Sequence, residues 1–230
     1  MKQKTLNRNQ LKYLAAFSML VDHIAWAFVP TASVPGELMH MVGRFAAPAM
    51  LFFLVEGYVH TGSIRRYACR VALFALLSWA PCSLFEKGCW PYPYFGMLWT
   101  TLLALAALWI WDQDRISLAG KIAMVFGLCA LSLLGDWSVY GVLLPLLFLE
   151  FRDREKEKWR FYLIACSCFV GTALLISGPI QIFQLGALPA PLLLKRYNGE
   201  RGSGAAFHKW FFYVFYPAHL LLLWWLTTVI

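Results

Sequence analysis

Nine apolar runs separated by short polar breaks constrain this chain more than any other feature. They cover roughly 11–29, 38–59, 66–84, 95–111, 118–134, 139–150, 160–177, 179–194 and 210–230. Several reach the ~20 residues that carry a helix across a bilayer. Composition agrees: 60% of the residues are hydrophobic and only 14% charged, against about half and about a quarter in an ordinary soluble domain. The expected fold is an all-α, polytopic transmembrane helical bundle, a single domain over residues 1–230. The sixth and eighth runs are short. The eighth holds Pro189 and Pro191, so it is expected to be broken or re-entrant, a backbone tolerated at membrane depth only when enclosed by protein or lining a cavity. No internal repeat is visible, and an odd number of spans argues against two inverted halves.

The formal charge is +8, a balance that in a soluble chain suggests nucleic acid. Here it has another cause. With the N-terminus in the cytoplasm and each span reversing direction, all of the 20 basic residues except Arg44 and Lys87 fall on the inner side or at its edge. That is the positive-inside pattern, and no nucleic-acid partner is expected. Lys2, Lys4, Arg8 and Lys12 open the series, and the C-terminus is expected outside. The first run is too long for a signal peptide, carries two ionisable groups and lacks a small-residue cleavage pattern after it. The six cysteines show no CxxC pair and no metal-like spacing, so no metal is expected. Cys82 and Cys89 lie close enough to the outer surface for a disulfide, and free thiols packed as small apolar groups are the alternative.

Ionisable residues inside a span are costly and point to function, with interhelical packing as the plain alternative. The first span holds Asp22 and His23 side by side. At ~100° and ~1.5 Å per residue, Lys12 and His23 share one helix face about 16 Å apart, with Ala15, Ala16 and Met19 between them. Asp22 points about 100° away from His23, so it needs another partner, and Arg44 of the second span is the best placed. Further along that span, Glu56 and His60 are four apart, followed by Arg65, Arg66 and Arg70. The last span opens with His208 and Lys209 and carries Tyr213, Tyr216 and His219 deeper in.

A cytoplasmic basic mouth, small residues beyond it and a deep imidazole suit a long cytosolic donor with an anionic head, as acyl-coenzyme A is. Lys12, Glu56, His60, Arg65, Arg66, Arg70 and Lys209 are then the donor-binding candidates, the arginines offering oriented donors to phosphate. His23 is the general base that takes a proton from an amine or hydroxyl acceptor. Asp22 and Arg44 position the histidine or the acceptor, Tyr216 or Arg44 steadies the oxyanion, and His219 is a further candidate at the catalytic centre.

Three segments, "LKYLAAFSMLVDHIAWAF", "GRFAAPAMLFFLVEGYVHTGSIRRYACRV" and "HKWFFYVFYPAHLLLLW", resemble the TraX family of integral membrane proteins. "GDWSVYGVLLPLL" is similar to that family as well and draws attention to Asp136. The family takes its name from a conjugation protein that N-acetylates pilin and is grouped with a wider set of transmembrane acyltransferases. In that set a basic residue precedes a first-helix histidine by ten intervening positions, as Lys12 precedes His23 here. The resemblance implies histidine-dependent transfer from acetyl-coenzyme A in the inner membrane of a bacterium. The acceptor stays open: a small molecule, a glycan or a protein N-terminus. The rival reading is a proton-coupled transporter with Asp22, His23, Glu56, His60 and His219 as a relay.

Overall fold

The computed structural model describes residues 5–229; Lys2, Lys4 and the C-terminal Ile230 lie outside them. The described residues are helical almost throughout: α1 (Arg8–Phe28), α2 (Val34–Gly43), α3 (Ala46–Val59), α4 (Ile64–Lys87), α5 (Gly96–Trp111), α6 (Leu118–Ser132), α7 (Ser138–Glu150), α8 (Glu155–Ser177), a 3-10 segment (Pro179–Ala187), α9 (Ala190–Leu194) and α10 (Ala206–Val229). Every apolar run of the sequence has its helical counterpart. Four stretches, Val34–Val59, Ile64–Lys87, Glu155–Ser177 and Ala206–Val229, are long and apolar enough to cross a membrane. The protein is a polytopic helical membrane protein.

Short polar side chains set the helix starts. Asn7 and Gln10 form a reciprocal capping box on α1, while Ser33, Ser63 and Ser117 cap α2, α4 and α6. Each occupies a backbone donor that has no partner within its own helix. Gly88, at φ 70°, ends α4 in the left-handed conformation that glycine adopts without a steric penalty.

The second apolar run departs from a single span. It breaks at Arg44 and Phe45, between α2 and α3, and not at Pro48. That proline lies in the first turn of α3, where the amide hydrogen it lacks has no partner within the helix to lose. The eighth run is broken, as its prolines imply. Pro179 opens the 3-10 segment, and Pro189 and Pro191 open α9. Phe183 and Ala187 in this stretch are buried, and the Tyr162 hydroxyl donates to the Ala187 carbonyl at 2.6 Å.

The helices group into two compact units. One takes the chain through Met50 and from Tyr162 onward; the other is Leu51–Phe161. In the first, the residues before α1 are tied to the loop before α10. The Thr5 and Leu6 amides donate to the Arg196 carbonyl, the Arg8 amide to Glu200, and Asn198 donates back to Leu6. A parallel bridge joins Leu6 and Tyr197. In the second, the turn into α7 is pinned to α5. Thr100 donates to the Asp136 carbonyl at 2.8 Å, and the Tyr94 hydroxyl donates to the Asp136 carboxylate. Burial and that carboxylate hold the Tyr94 phenol well above its ordinary value. Asp136 therefore has a structural part to play. Cys82 is buried and Cys89 exposed, and neither is in a disulfide.

Candidate functional site

α1 carries two polar centres on two of its faces, both within the first unit. Residues one apart on a helix diverge by about 100°, so Asp22 and His23 meet different neighbours.

The face toward α10 holds the histidines. His23 Nδ1 lies 2.9 Å from His219 Nε2, and the two rings are 4.9 Å apart between centroids. His219 Nδ1 in turn sits 2.7 Å from the Phe215 carbonyl. A carbonyl only accepts, so His219 Nδ1 bears a hydrogen and donates it. In the neutral ring the lone pair is then on His219 Nε2, which accepts from His23 Nδ1–H. By the same rule the lone pair of a neutral His23 is on Nε2. Tyr216 is buried with its ring edge toward His219, centroids 6.0 Å apart.

Lys12 meets the same helix nearer its start. Its ammonium lies 4.2 Å from the centroid of Phe212, and Tyr13 is 2.8 Å from His208 Nδ1. Lys12 and His23 thus both face α10, as their spacing predicts. Ala15 is completely covered and Ala16 is buried. Their small size lets neighbouring helices pack closely. Lys209 is exposed beside Trp210.

The other face, toward α2, holds an ion-pair cluster. Asp22 is buried and forms an ion pair with Arg44, the partner expected from the sequence. Its second oxygen lies 2.7 Å from His40 Nδ1. Gly43 makes this approach possible, since a Cβ there would overlap the Asp22 side chain. His40 has no accessible surface. Its ring lies 4.3 Å from Trp26 and 5.0 Å from Phe183 between centroids. The sequence reading omits His40 from the site, although its spacing of four from Arg44 places both on one face of α2.

Of the five residues expected at the catalytic centre, His23, His219 and Tyr216 come together on one face of α1. Asp22 and Arg44 come together on the other. Arg44 is engaged with Asp22 and lies over Phe183 at 5.2 Å, so it is not aimed at the histidine pair. Glu56, His60, Arg65, Arg66 and Arg70 belong to the second unit. There His60 Nδ1 is 2.8 Å from the Glu56 carbonyl, and Arg70 lies 5.7 Å from the Tyr67 ring. Among the described residues no cluster of histidine, cysteine and acidic side chains is suited to a metal ion.

The model of the TraX protein family matches residues 7–227. A relative from Dichelobacter nodosus, named probable fimbrial assembly protein FimC, serogroup H1, is 32% identical over 232 residues, 93% of each chain. No solved structure matches. The match runs through α1, α2 and α10 and so takes in both polar centres; this chain belongs to the TraX family.

Proposed function

We propose that the protein is a membrane-embedded acyltransferase that moves an acetyl group from cytosolic acetyl-coenzyme A to an amine or hydroxyl acceptor. The observation that carries this reading is the directed pair His23–His219. Its hydrogen-bond order starts at the Phe215 carbonyl and leaves the basic nitrogen of His23 on Nε2. A proton arriving there makes His23 an imidazolium whose Nδ1–H still donates to His219, now as a stronger, charge-assisted bond. His219 thus orients the base and steadies its charged form, the part an aspartate plays behind the histidine of a hydrolase triad.

The acceptor nitrogen or oxygen attacks the thioester carbonyl carbon and its proton passes to His23 Nε2. The carbon–sulfur bond then breaks, and the sulfur leaves as a thiolate that takes up the proton. Tyr216, beside His219, is the candidate donor to the oxyanion. Lys12, about 16 Å before His23 on the same face, and the exposed Lys209 supply positive charge for the donor's phosphates. The name of the Dichelobacter relative further supports a part in fimbrial assembly, and the location we propose is a bacterial inner membrane.

The test is acetyl-coenzyme A binding by purified protein, read by calorimetry beside acetyl transfer. His23→Ala is expected to keep the donor affinity and to lower transfer by about 100-fold or more, the range of a lost general base. Failure of the unaltered protein to bind millimolar donor sinks the reading.

A further inference from the structure

α10 carries a pattern beyond its polar residues. Phe207, Phe211, Phe215 and His219 follow one another at intervals of four, the spacing that sets side chains one above another on a helix face. Their rings form a ladder. Phe207 and Phe211 lie 5.8 Å apart between centroids at 39°, Phe211 and Phe215 5.3 Å apart at 25°, and Phe215 and His219 4.6 Å apart at 13°. Each step toward the histidine is shorter and more nearly parallel than the one before. Phe207 at the start of the ladder is 66% exposed, while His219 at its end is buried. Tyr13 of α1 braces the middle, its ring 5.1 Å from Phe211.

His219 needs such a hold. The torsion that turns an imidazole about its Cβ–Cγ bond has broad minima, and one hydrogen bond at Nδ1 leaves the ring able to rock about that bond. Rocking carries Nε2 away from His23 Nδ1, which lies 2.9 Å from it. The backbone is weakened at the same place. Pro217, between Phe215 and His219, has no amide hydrogen and removes one bond from this turn of α10. Phe215 meets His219 twice: its carbonyl takes the Nδ1 hydrogen, and its ring lies flat against the imidazole. The carbonyl decides which nitrogen bears the hydrogen, and the ring decides the plane.

We propose that Phe215 is a positioning residue, whose ring, steadied by Phe211, fixes the plane of His219 and so keeps His219 Nε2 aimed at His23. His23 is thereby held with its own Nε2 directed away from the pair, toward the group that gives up a proton. The stack has a second effect. The face of a benzene ring attracts a cation, and hydrogen-bonded groups polarise one another. Positive charge gained by His23 is therefore shared across the bond with His219, where the Phe215 face lies beside it. Phe215 acts through His219 and touches neither donor nor acceptor.

The effect on transfer rests on the acyltransferase reading; the ordering of the histidine pair does not. The experiment uses the full chain in lipid bilayers with isotope-labelled histidine. Solid-state NMR reads the N–H···N bond between His23 and His219, its signal identified by its loss in His219→Asn. Phe215→Leu keeps the carbonyl and the apolar bulk but lacks the flat face, whereas Phe215→Tyr keeps all three. The leucine variant is expected to lose the signal and to lower kcat for acetyl transfer by about 3- to 10-fold, the range of an aromatic pair, with acetyl-coenzyme A affinity unchanged. The tyrosine variant is expected to keep both signal and rate. An intact signal in Phe215→Leu overturns the proposal, as does a lost one in Phe215→Tyr. If Phe215→Leu does not fold, Phe211→Leu decides: a weakened signal supports the ladder and an unchanged one overturns it. A signal that depends on the ring of Phe215, in a protein that transfers no acetyl group, keeps the positioning role and removes the acyltransferase reading instead.

Discussion

At the scale of single residues, the buried charge of Asp22 is tolerable because two partners share it. Arg44 forms the ion pair and His40 donates to the other oxygen. Breaking a buried pair from one side costs about 3–5 kcal/mol, because the abandoned charge remains in a poor solvent, while replacing both members can be nearly neutral. Arg44→Met alone is therefore expected to lower the thermal midpoint in detergent markedly. The double variant Asp22→Asn/Arg44→Met should recover most of the loss, since asparagine still accepts from His40. Losses that simply add would show that the ion pair does not govern this cluster. The Asp22–Arg44 pair was legible in the sequence because Arg44 is a basic residue set apart from the cytoplasmic loops and at matching depth. The separation of Asp22 from His23 was legible from the 100° step of the helix. His40 was not, because one histidine in an apolar run reads as packing until a second helix puts a carboxylate beside it.

Among the elements, the 3-10 segment does most to position the α2 centre. A stretch of nine residues is long for a 3-10 helix, and prolines explain its boundaries better than its length. Contact with α2 supports the rest: Gly186 lies where any Cβ would meet the Met41 carbonyl. Gly186→Ala is expected to cost about 1–3 kcal/mol, as overpacking does elsewhere. Gly127→Ala in α6, where a Cβ meets open space, should be neutral or stabilising because alanine favours helix. Thermal unfolding of the two variants side by side checks the contrast, and equal midpoints would refute the close contact. The sequence announced the break in this element through Pro189 and Pro191. Pro48 in the second run marks no break, although in sequence a proline near a helix start and one inside a helix look alike until the start is known. The turn at Arg44 and Phe45 has no proline or glycine breaker of its own beyond Gly43, and its position follows from Arg44 reaching Asp22.

For the whole molecule, the order of spans was readable because hydrophobic run length is a direct consequence of bilayer thickness. Run length leaves open whether the shorter stretches cross, Gly96–Trp111, Leu118–Ser132, Ser138–Glu150 and Pro179–Leu194, and the last of these is the least regular. The 3-10 segment spans about 18 Å at ~2.0 Å per residue, and α9 adds about 7.5 Å at ~1.5 Å per residue. The two reach across most of a hydrocarbon core of about 30 Å only if nearly collinear, and the turn at Leu188 and Pro189 separates them. The charge pattern favours crossing. Arg152, Arg154, Lys156, Lys158 and Arg160 before α8 and Lys195, Arg196 and Arg201 before α10 both belong inside by the positive-inside rule. By that rule α8 is expected to run outward between them and the eighth run to return the chain to the cytoplasm. Two reporters fused to the C-terminus in separate strains, one active only outside the cytoplasm and one only inside, test this. The outside reporter is expected to be active and the inside one silent. The reverse result would make Pro179–Leu194 a re-entrant segment, put the loop before α10 outside, and remove Lys209 from any part in holding a cytosolic donor.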